Sequence, residues 1–204
     1  MYIARHGESL GNTGEKICDD PELSTHGRKQ AERLALRMKD IHLDAIISSP
    51  HIRAVETAAE TAKLKGMEIE LLPLLFEVGT CPGYEGMGLD VLKKVYPHIT
   101  MYSDGAPYPL SVTEENTEIT YNRAKEAIER IRKRFGADSS VIIFAHGSFN
   151  NYLTNAAIGF PVRDDFNFCQ ENIGLTCIRF VKDKGRDKTK IEFANDYCHL
   201  FHKF

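Results

Sequence analysis

Tryptophan is absent from the 204 residues, and cysteine is scarce. Cys18, Cys81, Cys169, Cys177 and Cys198 are odd in number, scattered, and never spaced as C-x-x-C. That pattern argues against a disulfide framework and against a cysteine-built zinc site, and reads as reduced thiols in a cytosolic setting. Also missing is any run near the roughly 18 consecutive apolar residues of a membrane-spanning helix. The chain opens on a strand-like segment instead of a basic stretch followed by an apolar one, so secretion is not expected and the location is read as cytoplasmic. There is no excess of one charge either: 26 Lys and Arg stand against 29 Asp and Glu, a net charge of −3 with no long like-charged block. Nucleic acid and anionic membranes are therefore not expected as main partners.

What is present is the composition of an ordinary globular protein, 42% hydrophobic and 27% charged, in a chain long enough for one core. Residues 1–204 read as a single domain. The apolar periods alternate between strand and helix. "MYIAR" is a short strand; Ser24 or Thr25 can cap a helix with Ala31, Leu34, Met38 and Ile41 at helical spacing. "DAIISS" is a continuous apolar strand ended by Pro50, and Ile52, Val55, Ala59 and Ala62 share one face of the helix that follows. "IELLPL" gives another strand. Residues 114–135 predict a long amphipathic helix with Ile119, Ala127, Ile128, Ile131 and Phe135 inward. "SVIIFAHG" is a buried strand leading into a helix over 149–158, and "LTCIRFV" and "KIEFAN" read as two late strands. Such alternation predicts an α/β fold with a mostly parallel sheet covered on both faces. The stretch at about 79–113 breaks the rhythm: it is dense in proline and glycine and holds Tyr84, Tyr96, Tyr102 and Tyr108, which suits a lid or substrate wall.

Ligands of parallel α/β sheets bind beyond the carboxyl ends of the strands. Three such ends carry Arg5-His6-Gly7-Glu8, Ser48-Ser49-Pro50-His51-Ile52-Arg53 and Ala145-His146-Gly147-Ser148. Two histidines and two arginines converging with helix N-termini would hold a dianion such as phosphate. Gly7 and Gly147 would let the backbone approach it, and Ser148 either donates to it or merely caps its helix. For His26, His42, His51 and His98 a surface position is expected. His199 and His202, three apart in "CHLFHKF", are the remaining metal candidate, and a partly buried terminal segment explains them better; no metal and no cofactor is expected.

"RHGESLGN", "LSTHGRKQA", "SSPHIRAVETA", the acid of "LLFEVG…YEG" and "FAHGS", in this order from residue 3 to about 180, resemble the histidine phosphatase superfamily with its phosphoglycerate mutase-like fold. The resemblance implies a three-layer α/β/α sandwich with a mainly parallel central sheet. It implies that His6 is a nucleophile that becomes phosphorylated, that Arg5, Arg53 and His146 hold the phosphoryl oxygens with Asn12 reaching the same group, and that Glu77 is the general acid and base, with Glu85 as competitor. The expected activity is metal-independent hydrolysis of a small phosphorylated substrate, releasing phosphate, by a histidine acid-type phosphatase. Mutase-type phosphoryl transfer and a non-catalytic phospho-ligand-binding module are the alternatives. Three departures from the dedicated mutases favour hydrolysis: Glu77 is not followed by a basic stretch; from Gly79 to Asn122 the only Lys or Arg residues are Lys93 and Lys94; and Gly11 stands where a tryptophan precedes the asparagine. The aromatic residues of 79–113, with Met87, Met101 and Phe76, could line a partly apolar pocket for a larger leaving group. Neither the physiological substrate nor the oligomeric state is legible.

Overall fold

The computed structural model describes residues 1–16, 20–105, 113–163 and 165–201. Its centre is a seven-stranded sheet. In chain order the strands are β1 (Tyr2–Arg5), β2 (Ala45–Ser48), β3 (Ile69–Leu71), β4 (Ile99–Met101), β5 (Val141–Ala145), β6 (Leu175–Asp183) and β7 (Arg186–Asp196). They lie side by side as β4-β3-β2-β5-β1-β6-β7. The first five are parallel; β6 runs antiparallel to β1, and β7 folds back on β6 as a hairpin. Six helices accompany the sheet among the described residues: α1 (Leu10–Thr13), α2 (Thr25–Met38), α3 (Ile52–Lys65), α4 (Leu89–Val95), α5 (Thr117–Phe135) and α6 (Gly147–Ile158).

The period of two along each strand divides the core. Ile3, Ile47 and Ile143 face one side, where Ala124, Ala127, Ile128 and Ile131 of α5 and Phe149 and Leu153 of α6 bury them. Ala4, Ile46, Ile142 and Phe144 face the other, under Leu34 and Met38 of α2, Val55, Ala58 and Ala62 of α3 and Leu92 of α4. From β1 to β4 the chain advances in one direction, then β5 returns to lie between β2 and β1. With right-handed crossovers, that reversal puts α5 on the face opposite α2 and α3. The expected sandwich with a mainly parallel sheet is what the chain forms.

Several local expectations differ. Residues 79–105 are not all loop: α4 and β4 lie within them, β4 extends the sheet as an edge strand, and Ile99 and Tyr102 are buried. The tyrosine ring lies against Arg134, whose guanidinium is 4.8 Å from its centre, so Tyr102 belongs to the core and not to a substrate pocket. Tyr96 and Met101 pack on the α2/α3 side. Tyr108 lies outside the described residues. Helix α5 begins at Thr117 instead of 114, because Asn116 is the N-cap and its side chain accepts from the Ile119 amide. That places Ile119 outward in the first turn, where it is exposed.

Two glycines bring the N-terminal loop onto α2. A Cβ at Gly7 would stand 2.6 Å from the Gly27 carbonyl oxygen, and one at Gly27 would stand 1.9 Å from the Glu8 carbonyl oxygen. Both obstacles are backbone, so neither can swing aside. Gly27→Ala is therefore expected to destabilise the protein by about 2 to 4 kcal/mol, a fall in Tm of roughly 5 to 15 °C for a chain of this size. Thermal unfolding followed by circular dichroism reads this directly, and an unchanged Tm would contradict the packing.

The described cysteines, Cys81, Cys169, Cys177 and Cys198, form no disulfide with one another; Cys18 lies outside the described residues. Among the described residues no group of His, Cys, Asp or Glu could hold a metal ion, and no helix is long and apolar enough to cross a membrane. His199 is buried in the turn at Cys198–Leu200, and His202 lies outside the described residues.

Candidate active site

The carboxyl ends of β1, β2 and β5 are adjacent, since β5 lies between the other two. His6 leaves β1 with its amide still donating to the Ala145 carbonyl, 3.1 Å. Its side chain is buried. Nδ1 lies 2.6 Å from the Gly7 carbonyl oxygen, and Arg53 Nε donates to Nε2 at 3.3 Å. A carbonyl can only accept and a guanidinium can only donate, so Nδ1 carries the proton and Nε2 the lone pair. Burial first, and then the Arg53 charge, holds the imidazole well below its ordinary value of 6.5, so the ring is neutral.

His146 follows β5 as the N-cap of α6, its ring centre 5.3 Å from that of His6. It is also buried and held well below 6.5 by burial, then by Arg53. Arg5 reaches across Gly147, where a Cβ would meet its Nε at 3.1 Å, and its Nη1 donates to the Gln170 carbonyl at 2.8 Å. Close approach of Arg5 thus explains that glycine. Gly7 is likewise accounted for without a ligand, since its amide donates to Thr57 Oγ1 at 3.0 Å.

Glu77 arrives from the 3-10 turn Pro73–Leu75 after β3 and sits over the start of α6. Its carboxylate accepts from the amides of Val78 and Phe149, both 2.9 Å, and from Ser148 at 3.4 Å. A side chain distant in sequence therefore does the capping that His146 does not. Ser148 is inside the first turn and not its cap. Burial raises the Glu77 carboxyl above 4.5, with the three amides and Arg53 opposing. Glu85, the competing acid, is exposed.

The structure thus brings Arg5, His6, Arg53, Glu77, His146 and the Ser148 amide into one neighbourhood. Asn12 stands at its margin: its side chain accepts from Ser9 N (3.0 Å) in the capping box of α1, and from Asn172 Nδ2 at 3.4 Å. His26, His42 and His98 are exposed as expected. His51 is not. It is fully buried between Tyr84, stacked at 5.4 Å, and His146, edge-on at 4.7 Å, with Phe76 at 5.1 Å. The surface expectation failed because the 79–88 segment folds back over it: Tyr84 covers the ring, and Gly86 lies against Pro50.

Supporting residues were also missed. Asp20 spans the start of α3: its carboxylate accepts from the Ile52 amide at 2.9 Å and from Tyr84 Oη at 2.7 Å, and pairs with Arg53 at 3.4 Å. Arg123 donates to the carbonyls of Leu74 and Phe76 (2.7 and 2.8 Å), fixing the approach to Glu77. Gln170, Asn172 and Ile173 brace the end of β1. Asn172 Nδ2 and the Ile173 amide both donate to the His6 carbonyl, at 3.0 and 3.3 Å. Ile173 holds φ of 55°, a left-handed conformation that a β-branched residue adopts only when its surroundings impose it. The signal in the sequence was the pair of segments "LSTHGRKQA" and "SSPHIRAVETA" in the family resemblance. In the fold, Ser24 and Gln30 of the first bind the Glu8 side chain and amide, and Glu56 of the second accepts from the Leu23 amide and Arg28.

The sheet order, the two-sided helical cover and the cluster at the strand ends define an α/β protein of the phosphoglycerate mutase-like fold. The chain belongs to the histidine phosphatase superfamily (branch 1), whose profile matches residues 1–191. It is 28% identical over 203 residues to phosphoserine phosphatase 1 of Hydrogenobacter thermophilus, covering 98% of this chain and 93% of that one. It is 28% identical over 211 residues to a probable phosphoglycerate mutase of Photorhabdus laumondii, covering 98% and 94%. Among solved structures, a mutant of phosphoserine phosphatase from Entamoeba histolytica in complex with phosphoserine superimposes with a TM-score of 0.69 at 23% identity, over 98% of each chain.

Proposed function

We propose that the protein is a phosphatase of small phosphomonoesters that works through a phosphohistidine at His6 and needs no metal ion. The observation that carries this reading is the fixed tautomer of His6: a neutral ring whose Nδ1 is tied to the Gly7 carbonyl and whose Nε2 lone pair is kept available beside Arg53. A neutral imidazole nitrogen is a competent nucleophile near pH 7. A phosphoryl group entering between Arg5, Arg53 and His146 would draw Arg53 from Nε2 onto one of its oxygens and leave the lone pair in line with phosphorus. The new N–P bond forms as the ester P–O bond breaks, and the departing oxygen takes the proton of Glu77, whose raised pKa suits it to donate. In the second step the same carboxylate takes a proton from water, water oxygen attacks phosphorus, and the N–P bond breaks to release inorganic phosphate. The three equatorial oxygens are met by guanidinium and imidazole donors throughout.

Hydrolysis is favoured over transfer to a second phosphorylated acceptor because the segment around Tyr84 brings an aromatic ring and no Lys or Arg to the site. The cations of 79–122, Lys93 and Lys94, stand exposed on α4. The 79–88 segment, with glycines of positive φ at 79, 83, 86 and 88, would serve as the substrate wall or lid. Similarity to a phosphoserine phosphatase suggests a small phosphorylated hydroxy compound such as phosphoserine as substrate, and a cytoplasmic location suits the reduced cysteines. The test is turnover of p-nitrophenyl phosphate, phosphoserine and 3-phosphoglycerate in excess EDTA, with an alkali-quenched sample examined for an acid-labile phosphoenzyme. EDTA-resistant phosphate release with a phosphohistidine is expected. Phosphate binding with neither turnover nor phosphoenzyme would instead make the protein a phospho-ligand-binding module.

A further inference from the structure

Ser49 and His51 form the far side of the site, and the hydrogen bonds between them have a direction. Ser49 Oγ lies 2.8 Å from His146 Nε2 and 3.4 Å from His51 Nδ1, and it also accepts from the His51 amide at 3.4 Å. His51 Nε2 and His146 Nδ1 are buried and have no hydrogen-bond partner among the described residues. Both rings are neutral: burial and then Arg53 bring His51 down to about 2 and His146 well below 6.5. Each ring therefore has one proton to place.

Ser49 Oγ has one proton for two rings, so one ring keeps a buried N–H with no acceptor among the described residues, the costlier kind of orphan. His51 packs against the rings of Tyr84 and Phe76, where no acceptor arrives, whereas at His146 a bound phosphoryl oxygen supplies one. His51 accordingly puts its proton on Nδ1, where Ser49 Oγ can accept it, and leaves Nε2 bare against Tyr84 and Phe76. Oγ then receives two donors from residue 51, and its single proton goes to the remaining contact, His146 Nε2. That leaves the His146 proton on Nδ1. We infer that Ser49 and His51 are positioning residues that lock the tautomer of His146, so that its Nδ1 presents an N–H, never a lone pair, to the incoming phosphoryl oxygen. The inference rests on the proposed role of His146 as a hydrogen-bond donor to the phosphoryl group. It gives the buried third histidine a task.

The decisive readout is the 15N chemical shift of the two ring nitrogens of His146, in the free protein and with inorganic phosphate, alongside the phosphate dissociation constant and kcat/KM for p-nitrophenyl phosphate. In the wild type Nδ1 is expected to be protonated in both states. Ser49→Ala and His51→Leu should give a mixture of tautomers and weaken phosphate binding and kcat/KM by about 10- to 100-fold, as loss of a partner that orients an imidazole commonly does. The amide nitrogen of Asn falls where Nδ1 of histidine lies, and that of Gln where Nε2 lies. His51→Asn should therefore restore most of the loss and His51→Gln should not, whereas a packing role would favour the larger Gln. A proton on His146 Nε2 in wild type, or variants that change neither tautomer nor phosphate affinity, would overturn the inference. A wild-type protein with the expected tautomer but no turnover would leave the inference standing and sink the phosphatase reading instead.

Discussion

Replacing His6 by alanine is expected to reduce turnover by at least about a thousandfold, since the nucleophile of a covalent mechanism has no substitute in the site. The loss should be in kcat, with inorganic phosphate still binding through Arg5, Arg53 and His146. The fold should survive. His6 lies just past the carboxyl end of β1, outside the two hydrophobic clusters, and its protonation is opposed by burial and then by the cations Arg53 and Arg5. The sign of the pH effect follows. Unfolded histidine takes up a proton near 6.5, whereas the folded ring does not until far lower, so the unfolded state binds more protons below 6.5 and stability falls as the solution is acidified. Removing His6 deletes one such group, and the alanine protein should lose less stability than wild type on acidification through that range. Steady-state kinetics with thermal unfolding at two pH values measures both. A variant retaining a tenth of the wild-type rate would refute the nucleophile assignment. For the same reason the kcat/KM profile should show no inflection from His6 or His146 near 6.5.

The residues proposed to carry the chemistry were the most legible part of the sequence. Arg5, His6, Arg53 and His146 are polar residues placed where apolar strands end, and a parallel sheet brings such ends to one edge whatever the details of packing. Glu77 was legible only by its place after an apolar strand and by resemblance. Its three amide partners belong to its own neighbour and to α6, a contact across 71 and 72 residues that no local pattern announces. His51 was misread because exposure is decided by what folds over a residue, and the covering ring, Tyr84, comes from a segment whose path is not periodic. Tyr102 was misread for the converse reason: aromatic composition suggested a pocket, but three residues of β4 pair with β3 and carry that ring into the core. Asp20 and Arg123 were invisible among the 55 Lys, Arg, Asp and Glu residues, and only their contacts to Arg53 and to the Leu74 and Phe76 carbonyls before Glu77 distinguish them.

Glu77→Gln should separate the proton-transfer role from the structural one. As a general acid Glu77 matters most when the leaving alkoxide is a strong base, so the variant should lose about 10²- to 10⁴-fold in kcat on phosphoserine and far less on p-nitrophenyl phosphate, whose phenolate departs without a proton. With the good leaving group, breakdown of the phosphoenzyme, where the carboxylate must take a proton from water, should become the slow step. A burst of p-nitrophenol followed by slow turnover is the expected signature. Stability should move the other way or not at all. Burial raises the Glu77 carboxyl, so its contribution to stability is full below 4.5, the unfolded value, and is lost as pH rises through the folded value. Once ionised, the buried carboxylate is disfavoured by burial, although the Val78, Phe149 and Ser148 amides hold it. Glutamine keeps an uncharged oxygen for the two shorter of those bonds, and its Tm near pH 7 should match or exceed that of wild type. Equal losses on both substrates would move the acid elsewhere, and a fall in Tm would mean that the charge on α6 outweighs the burial that opposes it.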